Sequence, residues 1–258
     1  MRHSLAVFLL LTLTACSSVS DADKQAKMPS AEEMFNEAKT TLSEENYESA
    51  IKKFESLQSR YPYGRYAQQA QLEIAYAYYK QHDVESIVSA ISAADRFIKQ
   101  YPNSPQVDYA YYLKGLANFH GETGLLGLLG DPTERDPKAA QDSFAAFKDL
   151  VARFPNSKYA PDARLRMQYL INALAKYEIH VASYYQRRGA YIAAANRAKE
   201  VLTLYPNAPA THDALLILVK SYDAMGMKKL RDDAQRVLDK NFPQGAIAPV
   251  QVGSETPR

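Results

Sequence analysis

Across 258 residues the chain carries 31 basic and 29 acidic side chains, a formal charge of +2 at pH 7, so it lacks the basic excess that marks a nucleic-acid binder. Its single cysteine excludes an internal disulfide, and a hydrophobic share of 47% is enough for a substantial packed core. Beyond residues 1–15 no stretch approaches the roughly 18 apolar residues of a membrane-spanning helix.

The chain opens with a basic start, Met1-Arg2-His3, then an apolar run from Leu5 to Leu13 that is too short to span a bilayer. That pattern predicts a cleaved signal peptide over residues 1–15. The junction Leu13-Thr14-Ala15-Cys16 has the Leu-x-(Ala/Gly)-Cys form of a bacterial lipobox. In such a box the thiol is acylated and the cysteine becomes the new N-terminus, so Cys16 is the expected lipidation site. Ser17 after it, where aspartate would signal retention in the inner membrane, points to the outer membrane and a domain facing the periplasm. Residues 16–30 are polar and free of aromatics, and read as a lipidated flexible linker. Ser30 with Glu33 three positions on forms a capping box, which sets the start of the first helix.

From there one dipeptide recurs: Tyr61-Pro62, Tyr101-Pro102, Phe154-Pro155, Tyr205-Pro206 and Phe242-Pro243. An apolar residue stands five positions before each proline (Leu57, Phe97, Leu150, Val201, Leu238). An alanine stands eight positions after each of the first four (Ala70, Ala110, Ala163, Ala214). Helical spacing leads into each aromatic, as in Ala50, Ile51, Phe54 and Leu57. Proline has no N–H to donate and pushes the preceding residue out of helical geometry, so a helix should end at each dipeptide. A second helix should follow, with Pro105 and Pro209 in its first turn and Ser104 as a cap. Coincidence at so many offsets marks a repeat of helical hairpins. In the first unit Ala38, Tyr47, Ala50, Phe54 and Pro62 resemble the tetratricopeptide pattern. The fold class expected is therefore all-α, a tetratricopeptide-like helical-hairpin solenoid of about five repeats.

The N-terminal repeats should occupy residues 31–120 and the C-terminal repeats residues 138–243, with a disordered tail over 244–258. Between them lies Gly121–Pro137, a Gly/Leu segment read as a loop insertion, in which Asp136 should cap the next helix and Pro137 begin it. It lacks the preceding strand and the Gly-Lys-Ser/Thr ending of a phosphate-binding loop.

No catalytic motif occurs, and no two histidines stand at the i, i+3 or i, i+4 spacing of a helical metal pair, so neither an enzyme nor a cofactor or metal is expected. Most of the 19 tyrosines, Tyr76, Tyr78 and Tyr79 among them, read as repeat core.

Several segments in fixed order then resemble the BamD family of lipoproteins of the outer-membrane β-barrel assembly machinery. They are Arg60-Tyr61-Pro62-Tyr63-Gly64, Ala77-Tyr78-Tyr79-Lys80, Asp108-Tyr109, Lys114-Gly115-Leu116, Arg135-Asp136-Pro137, Phe154-Pro155-Asn156-Ser157, Leu174–Glu178, Tyr184-Tyr185, Arg188-Gly189-Ala190 and Asn196-Arg197. The resemblance implies a scaffold and receptor. Its C-terminal repeats would dock on the POTRA domain of a BamA-like barrel protein. Its N-terminal repeats would receive unfolded outer-membrane β-barrel proteins and contact accessory assembly lipoproteins. Arg188, Asn196 and Arg197 match the family's docking helix. Tyr61, Tyr63 and Tyr66 are candidates for substrate contact. A tetratricopeptide pilotin lipoprotein for a secretin is the alternative.

Overall fold

The computed structural model describes residues 28–123 and 137–243. The signal peptide, Cys16, most of the linker, residues 124–136 of the insertion and the tail lie outside them. Ten helices among the described residues pair into five hairpins. They are α1 (Ala31–Ser43) with α2 (Tyr47–Arg60), α3 (Arg65–Gln81) with α4 (Val84–Gln100), α5 (Val107–Thr123) with α6 (Lys138–Arg153), α7 (Ala160–Arg187) with α8 (Tyr191–Leu204), and α9 (Thr211–Ala224) with α10 (Lys228–Asn241). Each helix packs on its neighbours in the chain, and the odd-numbered helices also touch in the pairs α1–α3, α3–α5 and α7–α9. The core is a series of clusters between successive hairpins, as a solenoid requires.

The local signals explain the boundaries. At α1 the Ser30 hydroxyl accepts from the Glu33 N–H at 3.2 Å while the Glu33 carboxylate accepts from the Ser30 N–H at 2.7 Å. The five aromatic residues of the aromatic-Pro dipeptides are the C-caps of the five even-numbered helices, each with φ between −126° and −131°. The N–H of each aromatic donates to the carbonyl four residues back, on Leu57, Phe97, Leu150, Val201 or Leu238, at 2.8–2.9 Å. Those five residues are buried. Each of the first four shares a core cluster with the alanine thirteen positions on: Leu57 with Ala70, Phe97 with Ala110, Leu150 with Ala163, Val201 with Ala214. All four alanines are fully buried, so the repeated small residue stands where one hairpin seats on the next.

Two expectations about proline change. Pro105 and Pro209 do not lie in the first turn of a helix. Val107 N–H donates to the Ser104 carbonyl at 3.1 Å and Thr211 N–H to the Ala208 carbonyl at 3.1 Å. Each proline thus occupies the second position of a turn before the helix, where its fixed φ also fits. Likewise Pro137 is itself the N-cap of α6, whose first residue is Lys138, so it does not begin that helix. The start of the insertion also differs, because α5 runs on through Gly121, Glu122 and Thr123.

Within hairpins the chain reverses through one left-handed residue. It is Glu45 (φ 60°), His82 (φ 61°), Gly189 (φ 75°) and Gly226 (φ 71°) in the four hairpins closed by a tight turn. In three of them a bond spans the end of the helix in the manner of a Schellman motif: Asn46 to Thr41, Ala190 to Tyr185, and Met227 to Tyr222. The long repeat spacing from Phe154 to Tyr205 has its origin in helix length. α7 has 28 residues against 14 in α8, and it serves two cores. Its first half packs Ala163, Leu170 and Leu174 with α5 and α6, while its second half packs Ala175 and Ala182 with α8 and α9.

Candidate interaction surfaces

The three N-terminal tyrosines gather at the turn between α2 and α3, but they have different tasks. Tyr61 is half-buried, and its hydroxyl donates to the Pro29 carbonyl at 2.9 Å, tying the entry of α1 to the end of α2. Tyr66 lies against Phe35 with ring centres 5.4 Å apart, and its hydroxyl accepts from Arg65 at 2.7 Å. The Arg65 guanidinium also sits 4.6 Å from the Tyr66 ring centre. Only Tyr63 stands clear, 91% exposed. Gly64 makes this possible: at φ 102°, ψ 179° it occupies backbone territory open almost solely to glycine, although a Cβ there would meet nothing within 4 Å. Of the three, Tyr63 alone offers a free ring, and Arg65 is a neighbour that residue spacing did not single out.

A second group of tyrosines spans α3, α5 and the start of α7. Tyr159 stacks on Tyr112 with centres 4.7 Å apart and lies 5.2 Å from Tyr109. The Tyr112 hydroxyl donates to Asp162 at 2.7 Å, and Asp162 also pairs at 2.6 Å with Arg166, which is buried. Burial, reinforced by the bond to Asp162, pushes the Tyr112 phenol up to about 12. Burial also raises Tyr109 and Tyr79. These phenols therefore stay neutral across the physiological range and can serve as donors. The expectation that Tyr76, Tyr78 and Tyr79 belong to the repeat interior fits their half-buried packing on the α3 cores.

At the C-terminal end Arg188, Asn196 and Arg197 do not share one helix. Arg188 is the C-cap of α7, Gly189 turns the chain, and Asn196 and Arg197 lie on α8. The three also differ in availability. Arg188 and Asn196 are exposed, with the Arg188 guanidinium 5.3 Å from the Tyr184 ring centre. The Arg197 side chain, 40% exposed, is held by Glu178 on α7 at 3.0 Å and by Glu200 at 3.4 Å. Glu178 is only 12% exposed, and its burial raises its pKa despite the nearby arginine. For Arg197 burial acts to lower the pKa, but Glu178 and Glu200 lift it overall, so the guanidinium stays charged. Beside these, the surface presents Tyr184 and Ile192, 45% and 67% exposed.

Residues 27–237 match the family model YfiO, outer membrane lipoprotein. An outer membrane protein assembly factor BamD from Neisseria meningitidis is 44% identical over 245 residues, covering 93% of this chain and 91% of that protein. The protein of the same name from Xylella fastidiosa is 39% identical over 93% of this chain and 82% of its own length. That from Haemophilus influenzae is 32% identical over 99% and 97%. The chain belongs to the YfiO family of outer membrane lipoproteins. Membership of the YfiO family accounts for the ordered segments that carried the resemblance, and both candidate surfaces lie inside the matched span. These relatives bear an assembly-factor name and give the pilotin alternative no support. No helix among the described residues of this YfiO-family chain is long and apolar enough to cross a membrane.

Proposed function

We propose that the chain is a lipid-anchored subunit of the outer-membrane β-barrel assembly machinery, a scaffold and receptor with no catalytic step of its own. The observation that carries this reading is the 44% identity to an outer membrane protein assembly factor across 93% of the chain. Acylated Cys16 would hold the solenoid at the periplasmic surface of the outer membrane. The C-terminal hairpins would dock on a POTRA domain of a BamA-like barrel protein. The N-terminal hairpins would receive unfolded β-barrel proteins and accessory lipoproteins.

Within this reading the geometry ranks the site residues. Arg188 and Asn196 meet a partner without giving up any contact that holds the fold, and a guanidinium braced by Tyr184 suits a carboxylate. Arg197 would have to exchange Glu178 for the partner's carboxylate, so it contributes less than an unpaired cation. On the substrate side Tyr63 presents its ring freely, whereas Tyr61 and Tyr66 hold the turn that displays it.

Co-purification of the barrel protein tests the docking site. Arg188→Glu should weaken capture at least about tenfold, or roughly 1.4 kcal/mol, without altering the helical circular dichroism. A compensating charge reversal on the partner should restore capture in part. Undiminished capture by Arg188→Glu would remove Arg188 from the interface. Tyr63→Ala should reduce photocrosslinking to an unfolded barrel protein at unchanged stability, whereas Tyr61→Ala should lower the melting temperature.

A further inference from the structure

His82 and His120 are 38 residues apart in sequence, yet the fold brings their rings together with centres 4.6 Å apart and an interplanar angle of 38°. His82 is the left-handed C-cap of α3, and His120 lies in the last turn of α5. The two ends are adjacent because α3 and α5 pack side by side. His82 is exposed and His120 half-buried, so the pair opens to solvent on one side. Among the described residues no hydrogen bond or ion pair engages either imidazole. The neighbouring Asp83 is committed elsewhere, accepting from the Ser86 N–H at 2.9 Å to cap α4. Tyr79 stands edge-on to His82 at 5.5 Å and closes the inner side of the pair.

Two imidazoles at this separation suit a shared metal ion. A cation held at about 2.0–2.1 Å by one nitrogen of each ring sets the ring centres on the order of 4.5–5 Å apart in tetrahedral or square arrangements. We propose that His82 and His120 form a two-histidine site for an imidazole-preferring divalent cation, Zn²⁺ or Cu²⁺, which joins the end of α3 to the end of α5. Water supplies the remaining coordination positions of such an open site. Lys80 is the cation that opposes the bound charge, which keeps the affinity moderate. The class of ion follows from the ligands: two imidazole nitrogen donors favour Cu²⁺ and Zn²⁺ over Mg²⁺ and Ca²⁺.

The test uses the whole chain in detergent micelles, freed of metal and carrying no polyhistidine tag. Calorimetric titration with Zn²⁺ should show one saturable equivalent, Cu²⁺ should bind more tightly, and Mg²⁺ should give no heat. His82→Asn, which keeps a residue tolerant of positive φ, and His120→Gln should each weaken Zn²⁺ binding on the order of tenfold or more, because chelation is lost. His212→Gln should leave it unchanged. A second measurement needs no variant. Zn²⁺ should protect His82 and His120, but not His212, from diethyl pyrocarbonate, as mapped by mass spectrometry. Absence of saturable binding in the parent, binding retained in both single variants, or equal modification with and without Zn²⁺ would each overturn the site.

Discussion

Glu178 and Arg197 show how far a charged pair in the fold differs from the same residues on a free helix. Burial raises the Glu178 carboxyl above its ordinary value of 4.5, and Arg197 offsets only part of that rise. The folded chain therefore holds a proton that the unfolded chain releases. The contribution of Glu178 to stability is fully present below the ordinary value and is lost as pH rises through the raised folded value. Glu178→Gln removes this titration. The stability of the parent relative to the variant should fall as pH is raised from about 4 to 7, measured by urea unfolding at a series of pH values. A parent that gains on the variant over that range would show that Arg197, not burial, governs the carboxyl. The same pair decides how to read Arg197. Arg197→Glu would crowd a third carboxylate against Glu178 and Glu200, so lost docking in that variant would mix fold with interface. Arg188 gives the cleaner test.

Helices and their junctions were largely legible because their cause is local. The capping box at Ser30, the aromatic-Pro ends and the buried alanines all follow from backbone chemistry within a few residues. Other features depend on contacts that spacing cannot report. Glu45 takes the left-handed turn position that Gly189 and Gly226 also fill, and nothing in its residue type announces it. The 51-residue repeat spacing calls for longer helices, but nothing in it assigns nearly all of the extra length to α7. Meeting of His82 with His120, and of Arg197 with Glu178, required the packed hairpins. Tight packing between elements gives a prediction at this scale. A Cβ on Gly115 would stand 2.4 Å from the Phe147 ring, and Phe147 is fully buried. Ser143 adds a buried hydrogen bond to the Gly115 carbonyl at 3.0 Å, fixing the approach of α5 to α6. Gly115→Ala and Ala163→Leu should each cost about 1–3 kcal/mol through overpacking. Glu44→Gln, on the exposed C-cap of α1, should stay within about 0.5 kcal/mol. Thermal melts that ranked Glu44→Gln as the most damaging would undo the assignment of Gly115 and Ala163 to the helix contacts.

At the scale of the whole molecule, the proposed lipid anchor on Cys16 makes its own prediction. The described core runs from Ala38 to Leu238 and draws on all five hairpins. Two or three acyl chains hold a protein durably at a bilayer where a single chain holds it only marginally. Tethering also places the solenoid at a high effective concentration beside membrane-embedded partners, without adding a contact. Cys16→Ala should therefore shift the chain from the membrane fraction to the soluble or unprocessed fraction while its melting temperature stays within about 1 °C of the parent, as expected for a site outside the core. Affinity for an isolated POTRA domain in solution should be unchanged, because the proposed contact lies on the C-terminal hairpins. Capture of the barrel protein from cells should nevertheless fall, since the tether and not the interface has been lost. Fractionation, incorporation of a palmitate analogue and solution binding separate these effects. Full membrane partitioning of Cys16→Ala, together with no palmitate label in the parent, would show that another segment anchors the chain. A drop in solution affinity would show that the N-terminal segment shares the docking surface.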